Sequence, residues 1–211
     1  MEDSEVKRKS YEKLVAEIGR CTRCPLHLSR RNPVPGEGPL DADVMLIGEA
    51  PGRVEDETGR PFVGPAGRLL TALLESIGLK RDRVYITNVV KCRPPNNRDP
   101  SDEELRACTG YLLRQIGLVK PKTVVLLGRV AGRHVYGLAG LKWSSIREAR
   151  GKIVTVSIGD VRVRLVATFH PAAALYNPTL RRELEEDFKG AIREAVLGEK
   201  GDKKKTLMDF M

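Results

Sequence analysis

The stretch Asp43-Val44-Met45-Leu46-Ile47-Gly48-Glu49-Ala50-Pro51-Gly52 decides the fold class, because an apolar run ends there abruptly in a glycine-rich loop. Residues 44–47 are continuously apolar rather than alternating, which predicts a strand buried on both faces of a parallel sheet. The glycines permit close approaches and unusual backbone angles, and Pro51 stiffens the turn. Glu49 is therefore expected just past the carboxyl end of a central strand, where open α/β sheets bind ligands. A carboxylate there can be scaffolding, but this position favours chemistry.

Strands and helices alternate along the rest of the chain. Residues 1–9 read as a frayed charged end, and residues 55–64 as a polar loop. The periodicity predicts helices at 10–18, 65–77, 101–117, 129–137 and 178–196, and strands at 43–48, 84–90, 123–127, 152–157 and 161–169. This alternation predicts a three-layer α/β/α sandwich around a central, mostly parallel sheet. We expect one domain over residues 1–197 and a flexible charged tail over 198–211.

Composition narrows the classes of function. The chain has 211 residues, a net charge of +9 and a pI near 9.5, which modestly favours an anionic partner. It lacks an 18-residue apolar run and begins with charged residues, which argues against a membrane-spanning helix and a secretory signal. We therefore expect a cytoplasmic, monomeric protein with no membrane partner. A charged fraction of 31% and a single glutamine, Gln115, favour a thermophilic source.

The four cysteines are Cys21, Cys24, Cys92 and Cys108. The first two form a C-x-x-C pair, and nothing in the sequence indicates export, so a metal site is favoured over disulfides. Reduced structural thiols are the simpler interpretation, above all for Cys108 on its helix. The second pair is spread between a loop and a helix, a looser arrangement that suits an iron–sulfur cluster as well as zinc. Spacing alone leaves both open.

Polar side chains follow the predicted strands where each one ends. Glu49, Asn88 and His170 stand at these ends and could face one pocket. Asn is costly to bury unless its amide is used, and it can recognise a donor–acceptor pair on a planar ligand. A single His before Pro is more often a surface residue, and Phe62 alone could be ordinary core. The co-occurrence of all of them is what predicts a site.

The chain contains four marked motifs in order: Gly48-Glu49-Ala50-Pro51-Gly52, Gly59-Arg60-Pro61-Phe62-Val63-Gly64, Thr87-Asn88-Val89-Val90-Lys91-Cys92-Arg93-Pro94-Pro95 and His170-Pro171-Ala172-Ala173-Ala174-Leu175. Together they resemble the motifs of the family 4 uracil-DNA glycosylases, the iron–sulfur members of their superfamily, found in thermophilic bacteria and archaea. The resemblance covers residues 21–196, and we find no departure from the family pattern at Cys21, Cys24, Cys92 and Cys108. In the related family 5 the second residue of the first motif is apolar, so Glu49 favours family 4.

The resemblance implies cleavage of uracil from single- or double-stranded DNA after the base is flipped out of the helix. It implies that Phe62 stacks on the base, that Asn88 accepts from N3–H and donates to O4, and that His170 donates to O2. Glu49 is implied to stabilise the sugar cation and position water, with Glu55 as a second acidic candidate in the same loop. The implied substrate-binding set is Gly48, Glu49, Ala50, Phe62, Asn88 and His170.

The same resemblance implies a [4Fe-4S] cluster and a wedge in the DNA. The cluster ligands fall on Cys21, Cys24, Cys92 and Cys108, and its role is expected to be structural. Leu175 and Tyr176 are suited to fill the space that the flipped base leaves. Two other classes stay open at this point: a non-catalytic iron–sulfur nucleic-acid-binding protein, and a hydrolase of another nucleoside or nucleotide. An assay on uracil-containing oligonucleotides separates them.

The tail carries a further hypothesis. Residues 198–205 are charged or glycine and predict a tether, whereas Leu207, Phe210 and Met211 are spaced to share one face of a helical turn. A disordered end, or a last helical turn docked on the domain, is the simpler interpretation. Lys204–Met211 nevertheless resembles the short motif by which repair proteins dock on the DNA sliding clamp. It departs from that motif in its first residue and in its last pair, which predicts weak binding.

Overall fold

A five-stranded sheet lies at the centre of the computed structural model, which describes residues 2–198. The strand order is β2-β1-β3-β5-β4. β1 runs parallel to β2 and β3, β3 runs parallel to β5, and only β4 within these residues runs antiparallel. The mostly parallel sheet is therefore confirmed. The strands are β1 (Val44–Gly48), β2 (Tyr85–Asn88), β3 (Thr123–Leu127), β4 (Ile153–Ile158) and β5 (Val161–Thr168).

Helices cover both faces of the sheet, as expected for the three-layer arrangement. The last two are joined by a π-helical turn over Phe188–Ile192. In chain order the helices are α1 (Glu2–Gly19), α2 (Arg53–Thr58), α3 (Pro65–Ser76), α4 (Asp102–Val119), α5 (Arg129–Leu138), α6 (Ile146–Ala149), α7 (Pro171–Ala174), α8 (Pro178–Asp187) and α9 (Arg193–Leu197).

β1 shows why its apolar run is continuous. Met45 and Ile47 belong to the apolar cluster that includes Leu14 of α1 and Leu112 of α4. Val44 and Leu46 point to the opposite cluster, which includes side chains of α3 and α8. All of β1 is buried, and each such large apolar side chain contributes about 1.5–3 kcal/mol. The strand is thus fixed between two helical layers, and its carboxyl end has a defined position.

Two predicted helices differ from the structure. α1 begins at Glu2, so the prediction of a frayed end over residues 1–9 is wrong for residues 2–9, the part of it that the structure describes. Arg8 pairs with Glu5 at 2.8 Å and with Glu12 at 2.5 Å, and such pairs one turn apart stabilise a helix that has little apolar surface. The helix predicted over 178–196 is interrupted by the π-helical turn, where Gly190 has φ −93° and ψ −107°.

The tail predictions fall beyond the described part of the chain. Residues 199–211 lie outside it, so the flexible tether and the clamp-docking segment Lys204–Met211 stay predictions. No helix within residues 2–198 is long and apolar enough to cross a membrane.

Candidate active site

The carboxyl ends of β1, β2 and β5 open into one pocket of about 370 Å³. Its lining brings together Glu49 after β1, Asn88 at the end of β2 and His170 after β5, as the sequence predicted. A volume of this size suits a small planar ligand. Ala50, Glu55 and Phe62 also line the pocket, as do residues that the sequence analysis did not assign to it: Pro94, Asn97, Arg98, Ala172 and Ala173.

Asn88 points an unpaired oxygen into this region. The side chain is 1% exposed, and its Oδ1 is buried with no hydrogen-bond partner among the described residues. Buried polar atoms are nearly always paired, so an orphaned acceptor marks a place for a ligand. Gly48 pairs with Asn88 across the β1–β2 ladder, and a β-carbon at Gly48 would overlap Oδ1 and the Phe62 ring. Gly48 therefore allows both groups to approach the pocket floor.

A buried lysine holds the backbone of Asn88. Lys91 is 1% exposed, and its ammonium donates to the Asn88 carbonyl at 2.6 Å, to Thr87 Oγ1 at 2.7 Å and to Gln115 Oε1 at 2.6 Å. Burial lowers the pKa of Lys91 to about 7. The sequence analysis missed this group of contacts, although a lysine between Val90 and Cys92 in an apolar run was a signal for it. These contacts hold the end of β2 in place.

His170 is set up as a neutral hydrogen-bond donor. Its Nδ1 accepts from the backbone N–H of Ala172 at 3.1 Å, so the neutral ring has its proton on Nε2. Burial lowers the pKa of His170 to about 4, against the opposing effect of the Glu55 carboxylate. The ring is therefore uncharged at neutral pH. A neutral N–H group held in this position can donate a hydrogen bond to an anion that forms beside it and so stabilise that anion.

Phe62 stacks on His170. The ring centroids are 5.5 Å apart with 30° between the planes, so no base fits between the two rings. The backbone of Phe62 has φ 49°, a left-handed conformation that costs a non-glycine residue about 1–3 kcal/mol. Gly67 of α3 permits this turn, because a β-carbon there would overlap the Phe62 carbonyl. Phe62 lies in a loop, as predicted, and its conformation is imposed by its surroundings.

Glu49 has the electrostatics of a proton acceptor. Burial and, to a smaller extent, the Asp99 carboxylate together raise the pKa of Glu49 to about 7, against the opposing effect of the Arg129 guanidinium. Arg129 and Asp99 form their own ion pair at 2.6 Å near the pocket. A carboxylate whose pKa lies near the working pH is suited to general-base chemistry. The position after β1 thus favours a chemical role, although a scaffolding role had been the alternative.

Glu55 lies on a helix, so the prediction of a loop over residues 55–64 is wrong at its start. α2 spans Arg53–Thr58, and Gly59 ends it with φ 71°. The Oε1 atom of Glu55 accepts from the backbone N–H groups of Val63 at 3.0 Å and Gly64 at 2.8 Å. These contacts give Glu55 a scaffolding task at the edge of the pocket. Its predicted catalytic role stays a prediction.

The two predicted wedge residues follow α7 and differ in burial. Tyr176 is 93% exposed, whereas Leu175 is half-buried against the apolar cluster of α3 and α8. An exposed aromatic ring that follows α7, whose residues Ala172 and Ala173 line the pocket, is suited to enter a base stack. The wedge itself stays a prediction.

The four cysteines line one small cavity, although they come from distant parts of the chain. Arg30 Nη1 donates to Cys92 Sγ at 3.1 Å, and burial raises the pKa of Cys108 to about 11. Within residues 2–198 no three metal-binding side chains are arranged as ligands of one ion. Four thiols around one cavity, with a hydrogen bond to one sulfur, are a donor set that could hold an iron–sulfur cluster or zinc. Thiols in such a place must lose their protons to bind it.

Comparison with known proteins agrees with this geometry. The sequence profile of the Uracil DNA glycosylase superfamily matches residues 35–195. The chain is 47% identical over 203 residues to the type-4 uracil-DNA glycosylase of Archaeoglobus fulgidus. That alignment covers 96% of this chain and 100% of the Archaeoglobus protein. The type-4 enzyme of Sulfurisphaera tokodaii is 51% identical, and the alignment covers 89% of this chain and 86% of that enzyme. The type-4 enzyme of Saccharolobus solfataricus is 49% identical, and the alignment covers 85% of this chain and 83% of that enzyme. The chain belongs to the type-4 uracil-DNA glycosylase family.

Membership of the type-4 uracil-DNA glycosylases confirms the resemblance and the fold class predicted from the sequence. The superfamily match spans Glu49, Asn88 and His170, but it begins after Cys21 and Cys24. The roles of single residues and the identity of the cofactor stay predictions.

Proposed function

We propose that the pocket excises uracil from DNA by hydrolysing the bond between the base and its sugar, the first step of base excision repair. The observation that carries this proposal is the buried Oδ1 of Asn88, which has no partner among residues 2–198 and lies in a pocket with Glu49 and His170. Relatives that are 47–51% identical to this chain are named type-4 uracil-DNA glycosylases, which supports it. A base reaches such a pocket only after it leaves the duplex.

Asn88 reads the base by its hydrogen-bonding pattern. The free Oδ1 accepts from N3–H of uracil, and the amide nitrogen donates to O4. Cytosine has an acceptor at N3 and a donor at C4, so its acceptor would face the Asn88 oxygen and its donor would face the Asn88 nitrogen, and neither pair can form a hydrogen bond. The discrimination requires a fixed Asn88, and the contact from Lys91 to its carbonyl supports such fixing at the backbone. A site built to pair with polar groups rejects a ligand that leaves them unpaired.

Cleavage divides between two groups. The electron pair of the glycosidic bond leaves with N1 of uracil, and His170 stabilises the resulting anion through Nε2–H at O2. The sugar is left cationic, and Glu49 as a carboxylate stabilises it and takes a proton from the attacking water. Phe62 stacks on the base, a contact of about 1–3 kcal/mol. Arg98, which lines the pocket and pairs with Glu104, and Arg93 on the same loop are proposed to contact DNA phosphates.

The test is an excision assay on oligonucleotides that contain uracil, thymine or cytosine at one position. Alkali then cleaves the strand at any abasic site. We expect strand cleavage with uracil only, in single-stranded and double-stranded DNA. Binding without abasic sites would instead indicate a non-catalytic nucleic-acid-binding protein. Cleavage of free nucleosides or nucleotides, with none in DNA, would indicate the other class of hydrolase.

Asn88→Ala is expected to reduce uracil excision by at least about 100-fold, because the variant leaves N3–H and O4 of the buried base unpaired. Affinity for DNA should change little, since phosphate contacts dominate it. Single-turnover excision and binding to an oligonucleotide with an abasic site measure the two effects. Unchanged excision would remove Asn88 from the pocket.

We also propose that Cys21, Cys24, Cys92 and Cys108 hold a [4Fe-4S] cluster. Their common cavity and the hydrogen bond from Arg30 to Cys92 support it. Hydrolysis needs no electron transfer, so the cluster would be structural and would brace the arginine-containing loop over residues 91–98. Docking on a sliding clamp through Lys204–Met211, a monomeric state and a cytoplasmic location are further parts of the proposal.

Anaerobically purified protein is expected to be brown and to contain about four irons per chain. Iron and zinc analysis and the visible absorption spectrum measure this. Cys108→Ala should lose most of the iron and the colour, because one of four ligands is missing. Stoichiometric zinc without iron would reverse the assignment.

A further inference from the structure

The unusual backbone of Phe62 is held from both sides of its turn. On one side, Glu55 Oε1 accepts from the backbone N–H groups of Val63 and Gly64. On the other, Arg81 donates from Nη1 to the Phe62 carbonyl at 2.8 Å and from Nη2 to the Pro61 carbonyl at 2.7 Å. A planar guanidinium can serve two such acceptors at once. The turn over residues 61–64 is therefore fixed by one carboxylate and one guanidinium.

Arg81 is itself held by Glu37. Its Nη2 and Nε donate to Glu37 Oε1 at 2.7 and 3.3 Å, and both side chains are mostly buried, with 20% and 27% exposed. The Glu37 backbone forms a two-way bridge with Ile86 of β2, at 3.0 and 2.8 Å. β2 is the strand that ends in Asn88. The turn that carries Phe62 is thus tied to the strand that carries the proposed base-reading amide.

We propose that Arg81, anchored by Glu37, is a positioning residue that sets the Phe62 ring against the flipped base. A left-handed non-glycine residue persists only where its surroundings impose the conformation, and the two carbonyls that Arg81 holds flank that residue. Arg81 acts through Phe62 and does not itself line the pocket. The inference rests on the proposed function, because it assumes that Phe62 stacks on the base.

The test compares single-turnover uracil excision by wild type, Arg81→Gln, Phe62→Ala and the double variant. Arg81→Gln should slow excision by about 10- to 100-fold, because a misplaced platform misaligns the base. Arg81→Lys should restore little of the rate, since a lysine ammonium is a point charge without the fork that serves two carbonyls. In the Phe62→Ala background the Arg81 change should have almost no further effect, because the group through which it acts is gone.

Arg60→Gln is the matched control. Arg60 pairs with the other oxygen of Glu37 at 2.9 Å, its side chain is 63% exposed, and it donates to neither turn carbonyl within the described residues. This variant should keep the wild-type rate. If Arg81→Gln fails to fold, as judged by thermal unfolding, Glu37→Gln removes the anchor and enters the same comparison.

The outcomes separate the two proposals. If the rate reduction in the double variant equals the product of the two single reductions, Arg81 does not act through Phe62, and the positioning role is overturned. The proposed function is then unaffected, provided that the wild type excises uracil. An unchanged rate for Phe62→Ala would overturn it as well. An inactive wild type would overturn the proposed function itself.

Discussion

Replacing His170 with alanine is expected to slow the chemical step of uracil excision by about 10²–10³, because a transition-state hydrogen-bond donor is lost. The ring has its proton on Nε2, since Nδ1 accepts from Ala172, and its pKa of about 4 keeps it neutral. Single-turnover kinetics with saturating enzyme isolate the chemical step from DNA binding. Because His170 is neutral well above pH 4, its loss should lower the rate without moving the pH dependence near neutrality.

His134→Ala is the control for this variant. The chain has three histidines, and His134 lies on α5, where its Nε2 is 3.1 Å from Thr109 Oγ1 and outside the lining of the pocket. It should retain the wild-type rate. A His170 variant that loses only affinity for DNA, at an unchanged single-turnover rate, would assign His170 to binding rather than to catalysis.

Glu49→Gln is expected to slow excision by about 10²–10⁴, the usual effect of losing a general base. Burial first, and then Asp99, raise the pKa of Glu49 to about 7, with Arg129 opposing them. The active carboxylate form therefore predominates above that pH. In the wild type, kcat/KM should rise about tenfold per unit of pH below about 7 and level off above it. Glu49→Gln should remove that step.

Glu57→Gln provides the comparison for charge. Glu57 lies on α2, is 38% exposed at its side chain and pairs with Arg31 at 3.7 Å, away from the pocket. It should keep both the wild-type rate and the wild-type pH profile. A step near pH 7 that persists in Glu49→Gln would assign the titration to another group.

The sequence allowed the sheet and the main residues of the pocket to be predicted, because both follow from local patterns. A fully apolar run such as residues 44–47 has to be buried on both faces, and parallel strands end at one edge of the sheet. Because Glu49, Asn88 and His170 follow or end three such strands, they are predicted to share one pocket, and they do. The capping box of Ser101 and Glu104, which begins α4, is an equally local feature.

The contacts that prepare the pocket could not be predicted in the same way, because they join residues far apart in the chain. Arg81 lies 20 residues after Pro61 and 19 after Phe62, and no local pattern joins its guanidinium to their carbonyls. Glu55, a catalytic candidate predicted to lie in a loop, lies on a short helix and accepts hydrogen bonds from two backbone N–H groups. The residues suited to chemistry could be predicted from local sequence patterns, whereas the long-range hydrogen bonds that hold them in position could be identified only in the folded structure.

The released base tests the central claim most directly. Wild-type protein is incubated with a duplex that contains one isotopically labelled deoxyuridine, and free uracil is quantified by chromatography beside the abasic sites that form. We expect free uracil and abasic sites in equal amounts, with no thymine or cytosine released from matched duplexes. Tight binding to the uracil-containing duplex without release of uracil would contradict the assignment of this pocket as the catalytic site.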